Sequence, residues 1–171
     1  MHCFRDEETD AAFKWIWGSS CTNKWKVFSW LLLADRLNTR HMLRRRGMVL
    51  QHNNYSCLFC ANPPQKTVEH LFFTCPFSRQ CWNLLGMRWP FVGDRLENIH
   101  VWQRLWDKPM FIEIFVVGAW SLWKQRNNKH FMGVEPSVES WLQRFKADFD
   151  LLRHRNKENL GHFITAFLLP L

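Results

Sequence analysis

Cys57, Cys60, His70 and Cys75 are the residues of this chain whose types and spacing suit a definite chemistry. They form the pattern C-x2-C-x9-H-x4-C, four soft donors within about twenty residues, which is what one tetrahedral zinc ion requires. Two cysteines separated by two residues suit a tight knuckle turn whose backbone N–H groups point at the thiolates. Three thiolates and one neutral imidazole around Zn²⁺ carry a net charge of about −1 and leave no open position, so the expected site is structural and not catalytic. The competing assignment is four unrelated residues, with the cysteines acting as small buried apolar groups. Cys3, Cys21 and Cys81 fall outside the spacing, and Cys81 is expected as a packed thiol in a helix.

The second pair of donors constrains its own backbone. Residues 67–73 have short helical character, with Thr67 a candidate N-cap. In an unbroken α-helix His70 and Cys75 would face roughly 140° apart, too divergent for one ion. Pro76 disfavours the α conformation at Cys75 and suits the first turn of a new helix. His70 is therefore expected on one short helix and Cys75 at the cap of the next, which runs from Pro76 to about Leu85 and stops at Gly86.

The elements around this unit read as helices. The apolar run from Lys24 to Ala34 predicts a central core helix. Asp35-Arg36-Leu37 predicts a turn, Asn38 an N-cap, and residues 39–46 a second helix stopped by Gly47. The aromatic stretch Phe13–Trp17 fits a strand or a helical turn, after a loose lead-in over 1–12. Val49–Asn54 reads as an extended link, and residues 89–93 as a break. Helices follow over about 96–106, 110–131 and 138–154, the long one opened by Pro109 and closed by Gly133. Residues 163–168 suit a last short helix or an irregular apolar tail. The expected fold is mainly α: a small helical domain over 24–90 built around a Cys-Cys-His-Cys zinc knuckle, a lead-in over 1–23 and a helical extension over 91–171.

Composition narrows the partners. Eleven Trp and fifteen Phe against one Tyr point to bulky aromatic packing between helices. The net charge of +8 suits a polyanion. The charge is concentrated: between Lys24 and Arg46 seven basic residues face one acidic residue, a local +6. Arg36, Arg40, Arg44, Arg45 and Arg46 are the candidate phosphate contacts, and exposed aromatics such as Trp82 are candidates to stack on unpaired bases. The alternatives are a solvated basic helix face and a core position for Trp82. Residues 1–8 have no apolar core and do not read as a signal peptide, so the thiols are expected to meet a reducing, intracellular compartment. The most apolar run, Met110 to Trp123, is too short to span a membrane.

Several phrases are similar to a known family. Residues 24–31 (KWKVFSWL), 35–40 (DRLNTR) and 43–47 (LRRRG) resemble the entry to the zinc-binding domain of plant non-LTR retrotransposon reverse transcriptases. Cys57-x2-Cys60, Glu69-His70-Leu71-Phe72-Phe73-x-Cys75-Pro76-Phe77 and Trp82 resemble its zinc core. Trp120-x2-Trp123-Lys124-x-Arg126-Asn127 with Phe131 is similar to a helix that follows it. The resemblance implies one structural zinc on Cys57, Cys60, His70 and Cys75, and a role in holding RNA or DNA for a polymerase. These 171 residues contain no paired-Asp palm motif, no Walker-type loop and no nuclease motif. The expectation is a stand-alone retroelement-derived zinc domain that is not an enzyme and binds RNA or DNA through the basic helix. The alternatives are a scaffold that docks protein partners through its aromatic surface, and a remnant without function.

Overall fold

The computed structural model describes residues 10–47, 56–60, 68–88, 91–155 and 158–171. Thr67, Val49–Asn54 and Cys3 lie outside the described residues. The molecule is mainly helical, and among the described residues there is no strand.

Helix α1 spans Ala11–Gly18, so the Phe13–Trp17 stretch is helical and begins within the expected lead-in. The deciding residue is Asp10. Its Oδ1 accepts from the Ala12 amide at 2.7 Å as an N-cap, and the same carboxylate accepts from His100 Nε2 at 2.7 Å. Ala12, Phe13 and Ile16 then fall on one buried face.

Helix α2, Asn23–Leu33, is capped by Thr22 and buries Trp25, Phe28, Leu32 and Leu33. Asp35 turns the chain with φ of 51°, and Leu37 returns to the core. Helix α3, Arg40–Arg45, is shorter than the sequence predicts. Its cap is Thr39, whose buried hydroxyl accepts from the Met42 amide at 3.3 Å. Asn38, the expected cap, instead accepts from Arg46 Nη1 at 2.9 Å.

Helix α4 spans Pro76–Leu84, with Pro76 in its first turn and Gly86 beyond its end at φ of +84°. Helix α5, Arg95–Leu105, is capped by Asp94. Helix α6, Phe111–Met132, is the axis of the molecule. From Phe111 to Leu122 it is buried on nearly every side, as expected of a helix that is apolar all round. Gly133, at φ of +68°, ends it. Helix α7, Val138–Asp150, is capped by Ser137 and continues into a 3₁₀ turn, Leu151–His154. Helix α8, Glu158–Leu168, is regular, which decides the reading of the apolar tail.

Helices α1, α2, α4 and α7 pack around α6, and one continuous apolar core runs from Ala12 to Ile164. Its centre is aromatic. Trp82 stacks on Phe115 at 5.7 Å and meets Trp102 and Trp141 edge-on. Gly118 makes this possible: a Cβ there would lie 2.5 Å from the Trp82 ring. Trp82 is 1% exposed, so it belongs to the core and is not available to stack on a base. Its size and apolar area place it there. Cys81 is fully buried beside it, the packed thiol the sequence predicts. Among the described residues, no helix is long and apolar enough to cross a membrane.

Candidate metal centre

The knuckle forms at Leu58-Phe59-Cys60, where the chain turns and the Phe59 amide donates to Cys57 Sγ at 3.4 Å. The Phe59 ring rests on Phe77 at 4.6 Å, which seats the knuckle on the first turn of α4. Cys75 is the residue immediately before α4, with φ of −59° and ψ of 132°, outside the α region as Pro76 requires.

The segment between His70 and Cys75 holds a feature the spacing did not disclose. Residues His70–Thr74 form a π-helical turn, closed by the Cys75 amide donating to the His70 carbonyl at 2.7 Å. The wider i→i+5 ring returns the chain to the same side after five residues, where an α-helix would have overshot. The divergence expected of an unbroken helix is thus removed by the π turn and Pro76 together. The turn leaves carbonyls at its end, and α4 supplies their partners. Ser78 Oγ donates to the Leu71 carbonyl at 2.6 Å and Trp82 Nε1 to the Phe72 carbonyl at 2.6 Å.

These elements bring the four donors together. Cys57 Sγ and Cys75 Sγ are 3.8 Å apart, Cys60 Sγ and His70 Nε2 are 3.3 Å apart, and all four ligand atoms lie within 4.8 Å of one another. Zn–S bonds of about 2.3 Å and Zn–N bonds of about 2.0 Å at tetrahedral angles give edges of about 3.8 Å between sulfurs and about 3.5 Å between sulfur and nitrogen. Two opposite edges of the observed set match these values closely. Cys75 is fully buried and the other three are half-buried. Three sulfurs and one imidazole in this arrangement suit one zinc ion and complete its coordination, the pattern of a structural site.

The electrostatics favour one charged sulfur of the Cys57–Cys75 pair and disfavour a second. Hydrogen bonding from the Cys75 thiol pulls the Cys57 pKa down to about 3, against burial and with help from His70 and the Phe59 and Cys60 amides. The same bond to Cys57 raises Cys75, and burial raises it further, while the Phe77 and Ser78 amides oppose the rise. The two sulfurs therefore titrate as a pair holding one proton between them. His70 presents Nε2 to the site, and its Nδ1 faces Thr74 Oγ1 at 3.3 Å, which orients the ring. Zinc would supply the cross-link between knuckle, π turn and α4; the chain supplies the donors, their orientation and their partial burial.

Residues 1–82 match the family model described as zinc-binding in reverse transcriptase. This stretch, just under half of the chain, is similar to the zinc-binding domain of reverse transcriptases. The match ends at Trp82, which fills the core beneath the domain's π turn. No curated protein and no solved structure matches the chain at the significance required.

Around the zinc-binding unit lie residues that the spacing alone did not single out. Arg95 of α5 donates through Nε to the Leu33 carbonyl at the end of α2 and pairs through Nη1 with Glu69 at 3.2 Å, tying α2 to the residue before His70. A small cavity beside the donors is lined by Thr39, Cys57, His70 and Arg126. Arg126, 5% exposed, stacks on Trp123 at 4.8 Å and places a buried cation near the anionic donor set. Thr74 was findable at four residues beyond His70. Arg95 and Arg126 come from α5 and α6 and depend on the tertiary fold.

Of the candidate phosphate contacts, Arg36, Arg45 and Arg46 are exposed. Arg45 lies 3.5 Å from Asp35, and Arg36 sits over the Trp30 ring at 5.1 Å. The side chains of Arg40 and Arg44 lie outside the described residues, and so does that of His41.

Proposed function

We propose that this chain is a retroelement-derived nucleic-acid-binding module whose zinc centre holds a basic helix in place. The observation that carries the reading is the position of Thr39. The cap residue of α3 lines the same small cavity as Cys57 and His70, so the arginine-bearing helix starts against the metal unit. The exposed guanidinium groups of Arg36, Arg45 and Arg46 surround that start, and Arg40 and Arg44 add two charges in sequence. Phosphates are the natural partners of such a face, and binding of this kind is sequence-tolerant and steeply salt-dependent. The chain acts as a binding unit and not as an enzyme, in keeping with a metal site whose four positions are filled by protein donors.

Fluorescence anisotropy with mixed-sequence single-stranded RNA tests the reading. Affinity is expected to fall linearly on logarithmic axes as salt rises, with a slope of about −0.7 per phosphate neutralised. Reversing Arg36, Arg45 and Arg46 to Glu should flatten the slope by about 2 with the circular dichroism spectrum unchanged. Equal binding by the variant and the parent refutes the basic-face reading.

A second reading rests on the end of α6. Phe131 and Met132 are 74% and 72% exposed, with Val134 beside them at 49%. An apolar knob of this kind suits a protein partner. A Phe131→Ser, Met132→Ser variant that loses a partner but keeps RNA affinity would separate the two roles.

A further inference from the structure

Between α2 and α6 lies a groove of about 300 Å³ that none of the four metal donors lines. Its floor is apolar and aromatic: Phe28, Leu31, Trp120 and Trp123. Its rim carries Lys24, Arg36 and Asn38. Trp120 and Trp123 are half-buried, and Trp120 is held edge-on by Phe28 at 5.2 Å. Cations bracket these rings. Lys24 Nζ lies 4.9 Å from the Trp120 centroid, Lys124 Nζ lies 6.0 Å from it, and Arg126 sits over Trp123 at 4.8 Å. One carboxylate, Asp148, acts on the Lys24 and Lys124 side of the groove; burial raises its pKa, and Arg144, Lys124 and Lys24 oppose the rise.

We infer that this groove seats an unstacked base of single-stranded nucleic acid, with Trp120 as the stacking platform and Lys24, Arg36 and Lys124 as the phosphate contacts. A ligand that satisfies both floor and rim must present a flat π-face and negative charge about one residue away. A nucleotide in a single strand does this; a base within a duplex has its faces covered. On binding, the Lys24 ammonium moves from the ring face to a phosphate, exchanging a cation–π contact for a charge-assisted one. Asn38, exposed at the rim, offers an amide to the base edge. The platform is sequence-tolerant, because every base has a face to stack. This inference rests on the nucleic-acid reading above and adds to it a second contact surface, on α2 and α6.

The test uses the full chain with zinc and two labelled single strands of roughly twelve nucleotides, one oligouridylate and one abasic with the same charge. The parent should prefer the strand with bases by roughly 5- to 150-fold, the range stacking on aromatic rings gives. Trp120→Ala should bring that preference close to one, and so should Val27→Glu, a site 47% exposed at the groove edge, by setting a carboxylate beside the base; Lys24→Glu should weaken both strands. Arg45→Glu with Arg46→Glu should weaken both strands by the same factor. Equal affinity of the parent for the two strands overturns the groove while leaving the basic helix standing. Binding of neither strand removes both readings. An acidic, Trp-containing peptide that displaces the oligouridylate and binds tighter overturns the assignment in favour of a protein ligand.

Discussion

Replacing Gly118 with Ala tests whether the aromatic core and the zinc-binding turn are one mechanical unit. The added Cβ would lie 2.5 Å and 2.8 Å from two atoms of the Trp82 ring, closer than side chains pack. The indole has nowhere to go. Phe115 is stacked on it at 5.7 Å, Trp102 and Trp141 meet it edge-on, and Trp141 Nε1 is itself bonded to the Gly118 carbonyl at 3.2 Å. In an exposed helix, Gly→Ala stabilises by about 1 kcal/mol. Here overpacking costs about 1–3 kcal/mol. Moving the indole also stretches its bond to the Phe72 carbonyl, a further loss of about 1 kcal/mol. The net expectation is a loss of about 1–3 kcal/mol, or roughly 2–10 °C in Tm for a chain of this size. Because the Phe72 carbonyl belongs to the turn carrying His70, zinc affinity should fall as well. Thermal unfolding followed by circular dichroism measures the first effect, and competition with a chromophoric chelator the second. A Gly118→Ala protein as stable as the parent, or more stable, would refute the packing described for Trp82. A destabilised variant with unchanged zinc affinity would refute the link from core to metal.

Other consequences are as definite. Thr74→Val removes the partner of His70 Nδ1 and should weaken zinc binding about 10- to 100-fold with little change in fold, measured by the same competition. Cys57→Ala should abolish binding, whereas Cys81→Ala should leave the zinc stoichiometry intact, since Cys81 is buried in the core away from the donor set. Metal removal should loosen the segment from about residue 56 to 88, because a structural ion contributes folding free energy; hydrogen exchange that is unchanged there after confirmed removal contradicts this. Cys21 supplies a pH signature. Burial, and next the nearby Glu113, push its pKa up to about 12, against the Ser19 hydrogen bond and the charges of Lys26 and Arg155. An unfolded thiol titrates near 8.5. The stabilisation is therefore complete below about pH 8.5 and is lost as pH rises towards 12, by at most ~1.4 kcal/mol per pH unit. Cys21→Ala should flatten that part of the stability profile.

Much of this was legible in the residues because it rests on local chemistry. The donor spacing named the ligands, Pro76 placed Cys75 at a helix start, and Pro109 and Gly133 bracketed the long helix. What was not legible depends on partners distant in sequence or on a register the spacing does not encode. The π turn is set by Ser78 and Trp82 taking the Leu71 and Phe72 carbonyls, which only the packed α4 can do. Helix α1 was ambiguous because its aromatic positions suit two periodicities; Asp10, both as cap and as partner of His100, decides it. Asn38 and Thr39 are both good caps, and burial of Thr39 against the metal unit selected the second. Trp82 could have been a surface platform or a core residue, and its burial among Phe115, Trp141 and Gly118 shows which.

Mass spectrometry under non-denaturing conditions tests the metal centre most directly. The chain should carry one zinc ion, with a mass gain reduced by the protons the cysteines release, and Cys57→Ala or Cys75→Ala should lose it while Cys81→Ala retains it. A metal-free chain that stays folded in the presence of excess zinc, or a zinc content unaffected by Cys57→Ala, would contradict the site built from Cys57, Cys60, His70 and Cys75.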